Sequence, residues 1–207
     1  MLRTELIELI NSGEAWAFVG SGASGSITWE RLVEQVVDGL NEEGREAVNR
    51  DRGFERARLK ADFAHCFSVI ESMVGRRVLE RLVLEALSPV SRPGLLAQYL
   101  ADWPFRGYIT TNYDDVLESA LAGLRQRGWI AVGNTDSEVR KVASDASEVV
   151  WHVHGSLNLD PAASRLILTD QDYDSLYLGE TTVSRQLSGL LAQRRIVFFG
   201  LAFRTWK

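Results

Sequence analysis

Apolar residues along this chain follow two patterns: helical spacings of three and four, and short unbroken runs bounded by glycine or proline. Leu2, Leu6, Ile7, Leu9 and Ile10 lie largely on one side of an opening helix that Asn11-Ser12-Gly13 ends. Leu32, Val33, Val36, Val37 and Leu40 predict a helix over 29–40 with Thr28 as its N-cap. The stretch 41–58, polar and charged with Gly44 and Gly53, reads as exposed or mobile. Helical spacing returns over 63–87, broken near Gly75, and a short helix over 95–100 sits among Pro89, Pro93 and Pro104. Residues 15–19 read as a strand buried on both faces, and 195–199 as a last buried strand ending at Gly200. Between them, strands over 108–110, 129–132 and 149–153 are interspersed with helices over 116–124, 170–177 and 183–192. No internal repeat or low-complexity tract interrupts the pattern.

Apolar strands alternating with helices predict a three-layer α/β domain around a mostly parallel sheet. The 207 residues suit one such domain with a full core. In these folds ligands bind where the carboxyl ends of the strands open into loops. Four of the strands run into Gly20-Ser21-Gly22-Ala23-Ser24, Thr111-Asn112-Tyr113-Asp114-Asp115, His154-Gly155-Ser156 and Gly200-Leu201-Ala202. Small, polar and glycine residues are thereby expected along one edge of the sheet.

Composition narrows the chemistry. A net charge of −5 gives no electrostatic reason to expect nucleic-acid or anionic-membrane binding. The single cysteine, Cys66, rules out an intramolecular disulfide and any zinc site built from several thiolates, and its apolar helical setting reads as core. Residues 1–10 lack the apolar run of a secretory signal, and no stretch reaches the roughly 18 apolar residues that span a bilayer. The cytoplasm is the expected compartment.

Three segments carry candidate chemistry. Gly20-x-Gly22-x-x-Gly25 after a strand suits either a dinucleotide-binding turn or a tight structural turn. The helix after it is expected only near Thr28, and no acidic residue closes a second strand about 20 positions on, which speaks against a nicotinamide-dependent dehydrogenase. Asn112 follows a strand and precedes two carboxylates, Asp114 and Asp115. It reads either as a helix cap or as a functional carboxamide. His152 and His154 share one face by the two-residue period, with Trp151 and Val153 on the other. A metal pair would need a third ligand that the sequence does not offer; a core histidine bonded to backbone is the ordinary alternative.

Taken together, Phe18-Val19-Gly20-Ser21-Gly22-Ala23-Ser24, Ile109-Thr110-Thr111-Asn112-Tyr113-Asp114, His152-Val153-His154-Gly155-Ser156 and Phe198-Phe199-Gly200 resemble the motifs of sirtuins, in kind and in order. The set is most similar to the sirtuin-like domains of bacterial anti-phage defence proteins, which hydrolyse NAD, and the resemblance spans 15–202. It implies a Rossmann-like fold, NAD as the substrate and no metal. It implies that Asn112 sits at the nicotinamide ribose and positions the attacking water, while His154 acts as general base or orients the ribose hydroxyls. Gly20, Ser21, Gly22, Ala23 and Ser24 would hold the pyrophosphate, Thr111 and Asp115 would lie near the ribose, and Gly200 and Leu201 near the adenosine half. One cysteine cannot build the four-cysteine zinc module of sirtuin deacylases; a helical insertion over about 41–87 takes its place. The resemblance therefore implies release of nicotinamide and ADP-ribose from free NAD in defence by NAD depletion. Alternatives are a sensor module that binds NAD or ADP-ribose without turnover, and a zinc-free deacylase. Toxic activity implies control by homo-oligomerisation or by an attached or partner sensor domain. Residues 1–207 are expected to form one sirtuin-like domain, and their end just past a strand suggests the N-terminal part of a longer protein.

Overall fold

Trp16-Ala17-Phe18-Val19 is apolar at every position, a run that only a strand covered on both faces can hide, and all four residues are buried. The computed structural model describes residues 2–24, 27–87, 93–124, 128–142 and 147–201. Gly25, Pro89 and 202–207, which include Ala202, lie outside the described residues.

In chain order the elements are α1 (Leu2–Asn11), β1 (Trp16–Val19), α2 (Ser21–Ser24), α3 (Trp29–Asp38), α4 (Glu42–Arg50), α5 (Arg52–Lys60), α6 (Phe63–Val74) and α7 (Arg76–Leu87). There follow α8 (Leu95–Asp102), β2 (Gly107–Thr110), α9 (Val116–Leu124), β3 (Ile130–Val132), α10 (Asp136–Val139), β4 (Val149–His152), α11 (Asp170–Tyr177), α12 (Thr182–Gln193) and β5 (Ile196–Phe199). They form two compact units, one of Met1–Ser26, Ser91–Leu166 and Thr181–Lys207, the other of Ile27–Val90 and Ile167–Glu180.

The first unit holds a five-stranded sheet in the order β3-β4-β2-β1-β5, with every pairing parallel. This is the α/β, Rossmann-like architecture that the alternation of strands and helices predicts. After β1 the chain builds β2, β3 and β4 to one side and then crosses to place β5 on the other, so β1 marks a topological switch point. Around β1 the core is aromatic. Trp16 and Trp151 are fully buried, and Phe105 meets Tyr108 of β2 edge-on at 5.7 Å and Phe199 of β5 at 5.8 Å. One expectation fails at β5. Among the described strands it lies at the edge of the sheet, and Phe198 is 44% exposed.

The second unit is helical, and its first segment contains residues 41–87. Residues 41–58 are largely exposed, as their charge suggests, and they fold into the helices α4 and α5. Their charge hides two capping signals: Asn41 accepts from the Gly44 amide and Asp51 from the Phe54 amide, leaving Val48, Phe54 and Ala57 to pack inward. Thr28 caps α3 as its position predicts. Asp172 joins the two segments of this unit. Its carboxylate receives the Leu168 and Thr169 amides, completes a capping box with Thr169, and is met by the Arg76 guanidinium. Burial alone would raise the Asp172 carboxyl, but Arg76 and the two amides outweigh it and hold it below its ordinary value.

Arg76→Met leaves that carboxylate buried without its cation and is expected to cost about 3–5 kcal/mol in urea unfolding at pH 7. Because the folded Asp172 carboxyl lies below its ordinary value of 3.8, the stability it contributes is complete above that pH and is lost as pH falls through the folded value. Equal unfolding midpoints for Arg76→Met and the wild type would remove this pair as the tie between the segments.

Candidate functional site

Four strands end level with one another. His152 of β4 is the register partner of Thr110 in β2, Thr110 of Val19 in β1, and Val19 of Phe199 in β5. The residues beyond that row form the candidate site, and their backbone groups bond across the strand ends. The Thr111 amide donates to the Val19 carbonyl at 3.2 Å, the Val153 amide to Thr110 at 3.0 Å and the Gly20 amide to Phe199 at 2.8 Å. Further out, the Leu157 amide donates to the Tyr113 carbonyl at 2.9 Å, so the loop carrying Asn112 and the loop carrying His154 are fastened together.

The glycine segment is not a late-starting loop. Ser21–Ser24 forms the short α2 directly after β1. The Gly22 amide donates to the Gly200 carbonyl at 3.1 Å and the Ala23 amide to the Gly20 carbonyl at 3.0 Å. A side chain on Gly200, whose φ is +62°, would put its Cβ 2.4 Å from the Ala23 nitrogen, and one on Gly20 would come within 2.7 Å of the Gly200 carbonyl oxygen. These glycines let the ends of β1 and β5 pass in contact. Leu201, half-buried, reaches the same crossing. Ser21 and Thr111 are half-buried beside it.

Asn112 is 8% exposed, and its hydrogen bonds leave one group over. Its amide donates to Thr110 Oγ1 at 3.0 Å, its carbonyl accepts from His152 Nδ1 at 2.9 Å, and its Nδ2 donates to the Gly20 carbonyl at 3.4 Å. Oδ1 is buried and has no partner among the described residues. A buried amide oxygen without a donor costs about 1–3 kcal/mol, so a ligand or water that supplies one is bound favourably there. The alternative of a helix cap is excluded by Asp114, whose Oδ1 accepts from the Val116 amide at 3.2 Å and opens α9. Asp115, half-buried, contributes its carbonyl to the same helix through Ser119.

His154 is 5% exposed, and burial pushes its ring down to about 3, so it is neutral at ordinary pH. β4 stops at His152 and 153–154 turn, so the two-residue period no longer pairs the histidines on one face. The turn is held tightly. Gly155 has φ +88° and sits where a Cβ would lie 2.3 Å from the Arg165 carbonyl oxygen. Asn134 donates to the carbonyls of Val153 and Arg165 at 3.2 and 2.8 Å and accepts from the Arg165 amide at 2.8 Å.

His152 differs in every respect. It is fully buried, bonds Asn112 through Nδ1 and meets the Glu118 carboxylate through Nε2. Burial alone opposes its charge, but Glu118, the Asn112 carbonyl and Asp114 outweigh it and raise the ring above its ordinary value. Sequence reading placed His152 beside His154 without a role and passed over Glu118 and Asn134. Only Glu118, the third residue of α9, left a trace, as the lone charge in a mostly apolar helix. Among the described residues no cluster of three or more histidine, cysteine or carboxylate side chains suits a metal ion. A cavity of about 440 Å³ lies within the helical unit, lined by Arg31, Glu34, Arg45, Asn49, Phe54 and Arg58 among others; none of the sequence-predicted site residues lines it.

Comparison with known proteins agrees with the motifs. A family model described as SIR2-like domain matches residues 106–207. The chain is 24% identical over 206 residues to the NAD(+) hydrolase ThsA of Cytobacillus dafuensis, covering 98% of this chain and 38% of that protein. To the NAD(+) hydrolase ThsA of Acinetobacter baumannii (strain 532279) it is 29% identical over 190 residues, covering 90% of this chain and 36% of that protein. The protein of the same name from Bacillus cereus (strain MSX-D12) is 24% identical over 189 residues. The chain thus spans a little over a third of the length of the curated relatives it matches. The SIR2-like match thus covers the second half of the chain, while the likeness to the ThsA proteins covers 90–98% of it.

Gly200→Ala forces a left-handed backbone and a clash with Ala23 together, and is expected to lose about 1–3 kcal/mol in thermal or urea unfolding. His154, neutral when folded, takes up a proton on unfolding between its ordinary value of 6.5 and about 3, so stability falls with pH through that window. His154→Gln is expected to flatten the slope there by close to one proton; an unchanged slope would mean that the ring is charged in the folded protein.

Proposed function

We propose that this chain is the catalytic module of an NAD glycohydrolase, which cleaves the nicotinamide–ribose bond to give nicotinamide and ADP-ribose. The observation that carries the reading is Asn112 Oδ1, a buried acceptor without a donor among the described residues, set at the carboxyl ends of the strands beside the switch point at β1. Support comes from the named relatives and from a neutral, buried histidine on the adjoining loop.

In this reading the C1′–N bond breaks with its electron pair passing to the nicotinamide ring nitrogen, which neutralises that ring, while positive charge builds on the ribose. Water adds to C1′, and its proton leaves through His154 to solvent. Asn112 Oδ1 accepts a hydrogen bond from that water and fixes its direction of attack. His154 serves as the base or orients the ribose hydroxyls; its neutral ring can do either, since an imidazolium has no lone pair to accept with. Base assistance of this kind is worth about 10²–10⁴ in rate. Gly20, Ser21, Gly22, Ala23 and Ser24 bring the backbone close to the pyrophosphate, Thr111 and Asp115 flank the ribose, and Gly200 and Leu201 adjoin the adenosine half. We place the activity in NAD depletion during anti-phage defence in the cytoplasm, under control of self-association or of a sensor domain elsewhere in the protein.

Purified protein incubated with NAD is expected to release nicotinamide and ADP-ribose, resolved by chromatography. Asn112→Ala and His154→Ala are each expected to lower kcat by at least about 10². Release that survives both substitutions would sink the mechanism, and tight NAD binding with no release at all would favour a sensing module.

A further inference from the structure

We propose that His152 and Glu118 form a buried cation–carboxylate pair that positions Asn112, so that the carboxamide is aimed by a charged histidine two residues before the one assigned to chemistry. The proposal rests on the glycohydrolase reading for its kinetic consequence and on the hydrogen-bond geometry for the pair itself.

The chemistry of the two acceptors sets the charge. A backbone carbonyl cannot donate, so the 2.9 Å contact of His152 Nδ1 with Asn112 requires a proton on Nδ1. The Nε2 contact with Glu118 Oε1 requires another if the carboxylate is ionised. Both ring nitrogens then donate, and the ring is an imidazolium. Few other charges face it. α9 contributes Glu118 as its sole charged residue, and the loop before it contributes Asp114, which also favours the cation. The flanking strands β2 and β3 carry one titratable side chain, Tyr108, whose hydroxyl is given to the Leu100 carbonyl.

The pair bears on Asn112 directly. Three of that residue's four hydrogen-bonding groups are fixed, by Thr110, Gly20 and His152, and the fourth is the unpartnered Oδ1. His152 holds the peptide carbonyl. Releasing it frees the peptide to rotate and carries Oδ1 with it, and displacements of about 1 Å at such a group cost on the order of 10²-fold in rate. His152 and Glu118 are positioning residues here, acting through Asn112.

The test combines nitrogen-15 NMR of the histidine rings and the Asn112 side-chain amide with the pH profile of NAD hydrolysis. In the wild type, His152 is expected to carry protons on both nitrogens at pH 7, and the Asn112 amide signal to shift in step when that ring titrates. Glu118→Gln, nearly isosteric, should move both transitions to lower pH. It should also pull the alkaline limb of kcat the same way and lower kcat about 10–100-fold at pH 8 with KM changed less than about threefold. Glu118→Asp should restore part of the loss. A neutral His152 at pH 7, an Asn112 signal indifferent to its titration, or a Glu118→Gln profile that matches the wild type would each overturn the proposal. Coupled titration without any nicotinamide release would uphold the pair and overturn the glycohydrolase reading instead.

Discussion

Four parallel strands stop on one level because His152, Thr110, Val19 and Phe199 are register partners, and the backbone groups just beyond them have no ladder to continue. Buried amides and carbonyls must still find partners, and here they find them sideways, from the end of one strand to the next. Thr110 shows how closely this is fitted. Its hydroxyl donates to the Val19 carbonyl at 3.0 Å and accepts from the Asn112 amide at 3.0 Å, linking β1, β2 and the site residue through one oxygen. Once those groups are satisfied, Oδ1 of Asn112 is left buried with no donor among the described residues. A group so placed is stabilised only by a ligand or a water that donates to it, which is how a fold-level constraint becomes a chemical one.

The two histidines illustrate how environment assigns roles to identical side chains. His152 lies against a carboxylate and a carbonyl, both acceptors, which favour its charged form; burial opposes charge on His154 and holds it neutral. Neighbouring groups whose environments push their titration apart are the usual mark of divided labour in an active site. A neutral ring can take a proton, whereas a ring already carrying two and fixed between acceptors can only hold structure. Exchange of the two environments would leave the sequence motif intact and remove its chemistry.

Much of this was legible in the sequence, and the failures have physical causes. Helical and strand periodicity located α9 at its observed bounds and β1, β2 and β4 to within a residue, because the three strands are buried at every position and Val116, Leu117, Ala120 and Leu121 recur on the face that α9 buries. The bounds of α4 and α5 within the stretch 41–87 were not legible from periodicity because their inward faces carry only Val48, Phe54 and Ala57, which leaves the caps Asn41 and Asp51 as the stronger signal. Exposure at β5 was missed because an apolar string looks the same at a sheet edge as at its centre. At the site, Asn112 and His154 could be picked out by type and place. That Asp114 caps α9, freeing Asn112, and that Glu118 reaches His152 across 34 residues of chain were not legible, since both depend on contacts between separate elements.

The glycine segment calls for the most careful separation of pattern from cause. A glycine pair after a first strand is commonly explained by amides turned toward a pyrophosphate. Here the Gly20 and Gly22 amides are already given to the Phe199 and Gly200 carbonyls, and the Ala23 amide to Gly20. What the missing side chains supply is room: Gly20, Gly22 and Gly200 meet where any Cβ would strike backbone. The crossing draws the end of β5 against the end of β1, and the Gly20 carbonyl at that crossing is the acceptor that anchors Asn112 Nδ2. Glycine in this segment therefore acts on the carboxamide first, through packing, and any closeness of the backbone to a phosphate follows from the same lack of side chains.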